Sequence, residues 1–164
     1  MNNSIKKILL INWMYFQKSL LEFDGNMALV GVNGTGKSTI IDAIQMLLLG
    51  QRAAKFNSGA DALKRTLESY VRGHVNLENK EFLRDGDVIT YLAFEVSVNN
   101  KTYIFAQNIE YKAKQARLSD VKYFTLEDIS LTEDLFVDDN YPKSFEVLNK
   151  ACYYPKPGSL LWKE

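Results

Sequence analysis

A single cysteine, Cys152, and a single histidine, His74, are the only thiol and imidazole that this 164-residue chain carries. One thiol cannot close an internal disulfide, and one Cys with one His cannot fill a four-coordinate zinc site. Both therefore read as structural or surface residues, and a reducing cytoplasm is the expected compartment. An excess of charge is missing too: 20 basic and 20 acidic side chains cancel, so no overall positive field draws nucleic acid toward the chain. Long apolar runs are also absent. Ile8-Leu9-Leu10-Ile11 ends at Asn12, and Met46 to Leu49 stops at Gly50; both fall far short of a signal-peptide core or a membrane span. Prolines are few, and two of the three, Pro155 and Pro157, stand beside Gly158, where regular structure should stop. What remains is a chain that is 46% apolar, without repeats or low-complexity tracts, which predicts one soluble globular domain or a large piece of one.

Against that background, residues 31–38 read Gly31-Val32-Asn33-Gly34-Thr35-Gly36-Lys37-Ser38, followed by Thr39. This is a complete G-x-x-x-x-G-K-S phosphate loop. Its glycines let the backbone turn tightly and approach an oxygen-rich ligand without Cβ clashes. The loop N–H groups and the start of the next helix form an anion cradle. Lys37 adds a point charge for the β- and γ-phosphates, and the Ser38 hydroxyl suits Mg²⁺. The context fits. Met27 to Val30 predicts a short buried strand entering the loop. Ser38 to Leu49 predicts a helix, with Ile40, Ile44, Leu47 and Leu48 on one side and Gly50 as the stop. Nucleotide binding through Gly31, Asn33, Gly34, Thr35, Gly36, Lys37, Ser38 and Thr39 is the central expectation.

Around this motif the chain alternates between strand and helix patterns. Ile5 to Trp13 and Gln17 to Phe23 predict two strands closed by the turn Asp24-Gly25-Asn26. Gln51 to Ala60 reads as a surface loop, and Asp61 to Val71 as a helix with Asp61 as its cap. Asp87 to Val98 and Thr102 to Tyr111 predict a hairpin turning at Asn99-Asn100. Lys112 to Lys122 reads as loose, and Lys143 to Lys150 as a short helix. The basic residues Arg52, Lys55, Lys64, Arg65 and Arg72 read first as solvated charges, with a phosphate- or DNA-facing role as the alternative.

Hydrolysis needs more than a cradle: a carboxylate at the end of a second buried strand must hold Mg²⁺, and a group must place the attacking water. Leu92-Ala93-Phe94-Glu95 alternates onward as an ordinary strand. Leu135-Phe136-Val137-Asp138-Asp139 has an apolar run of only three. No L-S-G-G-like signature occurs. One reading is half of an active site. The alternative is a self-contained small P-loop NTPase that uses Asp138 or Asp139 for Mg²⁺. A third is a binding module that keeps a vestigial loop and docks a partner.

The run Ile11-Asn12-Trp13-Met14-Tyr15-Phe16, the phosphate loop and Thr39-Ile40-Ile41-Asp42-Ala43-Ile44-Gln45 together resemble the N-terminal head of SMC-like ATPases, the group of SMC, SbcC and MukB. The Asn-Trp-x-Tyr-Phe element, Lys55-Phe56-Asn57 and Leu67-Glu68-Ser69-Tyr70-Val71-Arg72-Gly73 look most like the SMC-like subunit of bacterial Wadjet plasmid-defence systems (JetC). The resemblance spans roughly residues 5–110. It implies the N-terminal half of an α/β P-loop NTPase head of the ABC/SMC type: a mixed sheet with flanking antiparallel strands and helices. Residues 1–152 would be the N-terminal lobe and 153–164 an irregular tail cut before a coiled coil. By resemblance the cofactors are ATP and Mg²⁺, with Gly31 to Thr39 as ligands and Ser38 on the metal. The family also uses a Gln after the hairpin on Mg²⁺ and water, for which Gln107 and Gln115 are both open. Asn12 to Tyr15 would lie near the nucleotide, and Arg72 near nucleotide or DNA. The implied partners are the C-terminal half of the same head, a second head in a homodimer, DNA, and kleisin-like and accessory subunits, with no membrane.

Overall fold

The computed structural model describes residues 4–23, 28–56, 65–76 and 81–149. In chain order the elements are β1 (Ser4–Trp13), β2 (Phe16–Glu22), α1 (Lys37–Leu49), α2 (Leu67–Arg72), β3 (His74–Asn76), β4 (Glu81–Phe82), β5 (Val88–Val98), β6 (Lys101–Lys112), β7 (Arg117–Leu118), β8 (Lys122–Glu127), β9 (Val137–Asp138), β10 (Tyr141–Pro142) and α3 (Phe145–Asn149). The main sheet runs β2-β1-β5-β6, with β7 and β8 both paired to β6, and every pairing in it is antiparallel.

Two tight turns set its register. Asn99 and Asn100 have φ of 50° and 64°, both left-handed, so Val98 faces Lys101 across a two-residue turn whose twist matches the strands. Met14 and Tyr15 form the other turn, between the paired residues Trp13 and Phe16. The run Ile8 to Ile11 is apolar throughout because β1 is covered on both sides. Ile8 and Leu10 face α1 and α2, while Leu9 and Ile11 face the opposite layer. α1 contributes Ile40, Ala43, Met46 and Leu47 to the first core, and α2 contributes Leu67, Tyr70 and Val71. The opposite face (Tyr91, Ala93, Ile104, Ala106, Phe124) is closed by Leu131, Phe136, Val137, Phe145 and Leu148, from the segment after β8.

The expected hairpins, α1 with its stop at Gly50, and α3 are all present. Two expectations change. The segment 112–122, expected loose, forms a helical turn and then β7, pairing Tyr111 with Leu118 and Lys112 with Arg117. Ala28 to Val30 form no strand; among the described residues nothing pairs with them, and Val30 is 87% exposed. A buried strand needs ladder neighbours, and all the described strands find theirs elsewhere. α2 begins at Leu67, where Thr66 and Ser69 make a reciprocal capping box: the Ser69 N–H donates to Thr66 Oγ1 (3.2 Å) and the Thr66 N–H to Ser69 Oγ (3.0 Å). The expected cap Asp61, the turn at residues 24–26, Lys64, Cys152 and the tail 153–164 lie outside the described residues.

Candidate functional site

α1 lies over β1, β5 and β6, and its two ends do different work. Its C-terminal turn sits over β6 and β8, where Gln107 Nε2 donates to the Met46 carbonyl (2.7 Å) and the Tyr123 hydroxyl approaches Gly50. Its N-terminal turn meets the β1–β2 turn, where the buried Trp13 donates its indole N–H to the Thr39 carbonyl (3.0 Å). The phosphate loop emerges at this second end. Gly31 to Thr35 are exposed, Gly36 to Ser38 half-buried and Thr39 buried.

The loop conformation is the one its sequence requires. Gly34 and Gly36 have φ of 87° and 90°, which side chains other than glycine adopt only under strain. Gly36 is also the N-cap of α1 and has no side chain to bond the helix. The first intrahelical bond runs from the Ile40 N–H to the Gly36 carbonyl (3.0 Å), so the N–H groups of Lys37, Ser38 and Thr39 lack helical acceptors. These donors carry the positive end of a helix of 13 residues. Thr35 Oγ1 donates to the Val32 carbonyl (2.9 Å) and stiffens the loop. Lys37 folds back across it, donating to the carbonyls of Gly31 and Val32, both at 2.7 Å. The ammonium is thus held over the loop it would share with phosphate. A cradle of N–H donors beside a lysine fits a polyphosphate, and Ser38, in the first turn of α1, is the hydroxyl that could hold a phosphate-bound Mg²⁺.

Of Asn12 to Phe16, Trp13 and Phe16 meet the site, while Asn12 and Tyr15 bond elsewhere. A Cβ on Gly36 would come within 2.9 Å of the Phe16 ring, so this ring already lies against the loop. Asn12 Nδ2 donates to the Ile89 carbonyl (2.9 Å), and the half-exposed Tyr15 donates its hydroxyl to the His74 carbonyl (3.3 Å). One turn into α1, Asp42 is 1% exposed and accepts a hydrogen bond from the Tyr70 hydroxyl. Arg65 donates to the same hydroxyl (3.4 Å), and Tyr70 packs in one cluster of rings with Trp13 and Phe56. Burial, reinforced by Asp42, pushes the Tyr70 phenol well above its ordinary pKa. A phenol raised in this way stays protonated at neutral pH, and the stability this contributes is full below its unfolded pKa and lost as the pH rises from there through its higher folded one. Tyr70→Phe removes that donor from a buried carboxylate. It is expected to cost about 1–3 kcal/mol of stability in a denaturant titration, with nucleotide affinity changed far less.

Two expected metal positions are corrected. Gln107 is fully buried and spends its amide on the Met46 carbonyl, about 12 Å along α1 from Ser38. It caps the helix C-terminus and does not reach the phosphate loop. The alternation of β6 explains this, because Gln107 pairs with Leu92 on the face that α1 covers. Gln115 is exposed, in the helical turn after β6. Asp138 and Asp139 sit at the β9–β10 turn, next to Val137, which packs on the sheet face opposite α1. The sheet stands between them and Ser38, so the self-contained reading loses its Mg²⁺ carboxylate. No cluster of His, Cys, Asp and Glu suited to a metal occurs among the described residues.

The basic residues divide. Arg52 and Lys55 are exposed. Arg72 is internal to the fold: its guanidinium lies 3.5 Å from the Phe82 ring centroid and pairs with Glu68 at 3.0 Å. Arg84 is the residue that sequence reasoning missed. It donates from Nε to Asn12 Oδ1 (3.1 Å), from Nη1 to the Met14 and Val71 carbonyls (3.0 and 3.3 Å) and from Nη2 to the Phe16 carbonyl (3.2 Å). In Leu83-Arg84-Asp85-Gly86-Asp87 it reads as one more charge in a turn, and nothing local marks it.

Comparison with known proteins agrees with this geometry. Residues 5–63, from β1 through the phosphate loop and α1, match the family described as the P-loop containing region of AAA domain. The chain is also 30% identical over 131 residues to the DNA double-strand break repair Rad50 ATPase of Thermoplasma acidophilum. That alignment covers 71% of this chain and 15% of the relative, so the chain spans a small part of that protein's length. No helix among the described residues is long and apolar enough to cross a membrane. With antiparallel strands, the helix that follows the loop and the loop itself in place, the fold is that of a P-loop NTPase of the ABC/SMC-head type, and part of the chain is similar in sequence to this Rad50 ATPase.

Proposed function

We propose that this chain is the ATP-binding N-terminal half of an SMC-like ATPase head, and that hydrolysis needs a C-terminal half and a second head. One observation carries the reading: the phosphate cradle is whole, but the apolar surface beside it is bare. Val30, just before the loop, and Val32, within it, are 87% and 76% exposed, and Ile41 in the first turns of α1 is 47% exposed; Leu48 and Leu49, 46% and 55% exposed, continue the apolar surface at the far end of α1. Apolar side chains in that concentration, next to a segment without a ladder partner, fit a surface that another part of the head covers. The Mg²⁺ carboxylate and the signature motif would come from that part, because Asp42, one turn after Ser38, is buried and bound by the Tyr70 hydroxyl, and Asp138 and Asp139 lie across the sheet. Ser38 and Thr39 would hold Mg²⁺ and phosphate, and Lys37 the β- and γ-phosphates.

The Rad50 relative handles DNA breaks by its name, which supports a role in DNA handling. Plasmid defence, chromosome maintenance and DNA repair are its forms within the group. The Wadjet-like subfamily, kleisin-like and accessory subunits, and a cytoplasmic location belong to the same proposal. Titration of the purified chain with MgATP should show saturable binding, and the same preparation should release phosphate at a negligible rate. Sustained hydrolysis by these 164 residues alone would overturn the divided-site reading, and an absence of any nucleotide affinity would return the loop to a docking role.

A further inference from the structure

The β1–β2 turn is strained and held from outside. Asn12 and Met14 have φ of 51° and 50°, unfavourable for both residue types and more so for Met14. Strain of this kind persists only where neighbours fix the conformation. The Met14 N–H donates to the Tyr70 carbonyl (2.6 Å) and Thr90 Oγ1 to the Asn12 carbonyl (3.0 Å), and Arg84 alone adds three more bonds. Three of the four acceptors of Arg84 belong to the turn (Asn12 Oδ1, Met14 O and Phe16 O), and the fourth, Val71 O, belongs to the end of α2. No carboxylate of the described residues lies within ion-pair distance of it. The space is full: a Cβ on Gly73 would stand 2.7 Å from the Met14 carbonyl and 2.9 Å from Arg84 Nη1. Burial holds the guanidinium below its ordinary pKa, as expected for a charge matched only by dipoles.

The same turn touches the phosphate site at two points, Phe16 on Gly36 and Trp13 on the Thr39 carbonyl. We propose that Arg84 is a positioning residue for nucleotide binding. It fixes the β1–β2 turn so that Phe16 and Trp13 hold the phosphate loop and the first turn of α1 in their binding conformation. This rests on the nucleotide-binding reading above, and it makes the loop's affinity depend on a side chain that never touches the ligand. A planar fork suits the task, because its Nε, Nη1 and Nη2 reach acceptors in three directions at once, whereas an ammonium offers a single point.

The test is a series in a Trp162→Phe background, where Trp13 is the one remaining indole. Unsubstituted Arg84 must first bind MgATP; failure at this step defeats the nucleotide reading and is separate from the role of Arg84. Arg84→Lys keeps the charge and is expected to remain folded by far-UV circular dichroism. It should lower MgATP affinity about tenfold and shift the Trp13 indole N–H resonance in the ligand-free protein. Phe16→Ala should lower the affinity to a similar degree, and the double variant should lose little more than either alone, since both act through one contact. Arg84→Ala removes the most bonds; if it does not fold, Arg84→Lys decides. Wild-type affinity in a folded Arg84→Lys, an unmoved indole resonance, or additive losses in the double variant would each overturn the proposal.

Discussion

Lys37→Ala is expected to weaken MgATP binding at least about 100-fold, equivalent to ~2.8 kcal/mol, with the fold intact. The size follows from the charge. A hydrogen bond to an ionised partner is worth about 1.5–3 kcal/mol, and Lys37 is the only basic side chain among the described residues that the structure places on the loop. The intact fold follows from where its present bonds lie. Lys37 Nζ donates to the Gly31 and Val32 carbonyls, and both of those residues are exposed. Water replaces an ammonium there at little cost. Calorimetric titration with MgATP, alongside a thermal melt, separates the two effects. A variant with unchanged melting and no measurable heat is the expected pair. Wild-type affinity in Lys37→Ala would mean that ATP binds elsewhere on the chain.

The divided-site reading also explains what was and was not legible in the sequence. The phosphate loop, α1 and both long hairpins follow from local chemistry: glycines at positive φ, a period of 3.6 after Lys37, and alternation bounded by Asn99-Asn100. Met27 to Val30 has an equally clear apolar pattern, yet Ala28 to Val30 form no strand. Strand formation depends on a partner, and no local pattern says whether the partner is in the same chain. Gln107 failed for a related reason. Its neighbours on the same face, Phe105 and Ile109, announce a covered surface, so a glutamine between them signals a buried polar contact more than a solvent-facing ligand. That signal was readable. The position of Arg84 was not, because its acceptors come from residues 12–16 and 71, up to 72 positions away in the chain. Asp138 and Asp139 were distinguishable only once β9 fell on the far side of the sheet from α1.

Replacement of Gly36 tests how far the phosphate loop depends on its own backbone and how far on the wall beside it. Gly36→Ala meets two obstacles. At φ 90° any L side chain is strained, by about 1–2 kcal/mol for the left-handed region. The new Cβ also comes within 2.9 Å of Phe16 Cζ, closer than real Cβ contacts allow. Phe16 is half-buried and its ring can yield only by leaving the surface that it shares with the loop. The loop or the ring must therefore move, and an affinity loss of about 30-fold, or ~2 kcal/mol, is expected. Phe16→Leu in the same chain removes the ring and hence the clash, while leaving the backbone strain untouched. Measured against Phe16→Leu alone, which carries the loss from the missing ring, Gly36→Ala should then cost only part of the 30-fold, about the tenfold that strain alone accounts for. Full recovery would locate the whole effect in the wall, and no recovery would locate it in the backbone. The partial recovery expected here is the mark of a loop set by both, in which the glycine provides the conformation and the β1–β2 turn keeps it.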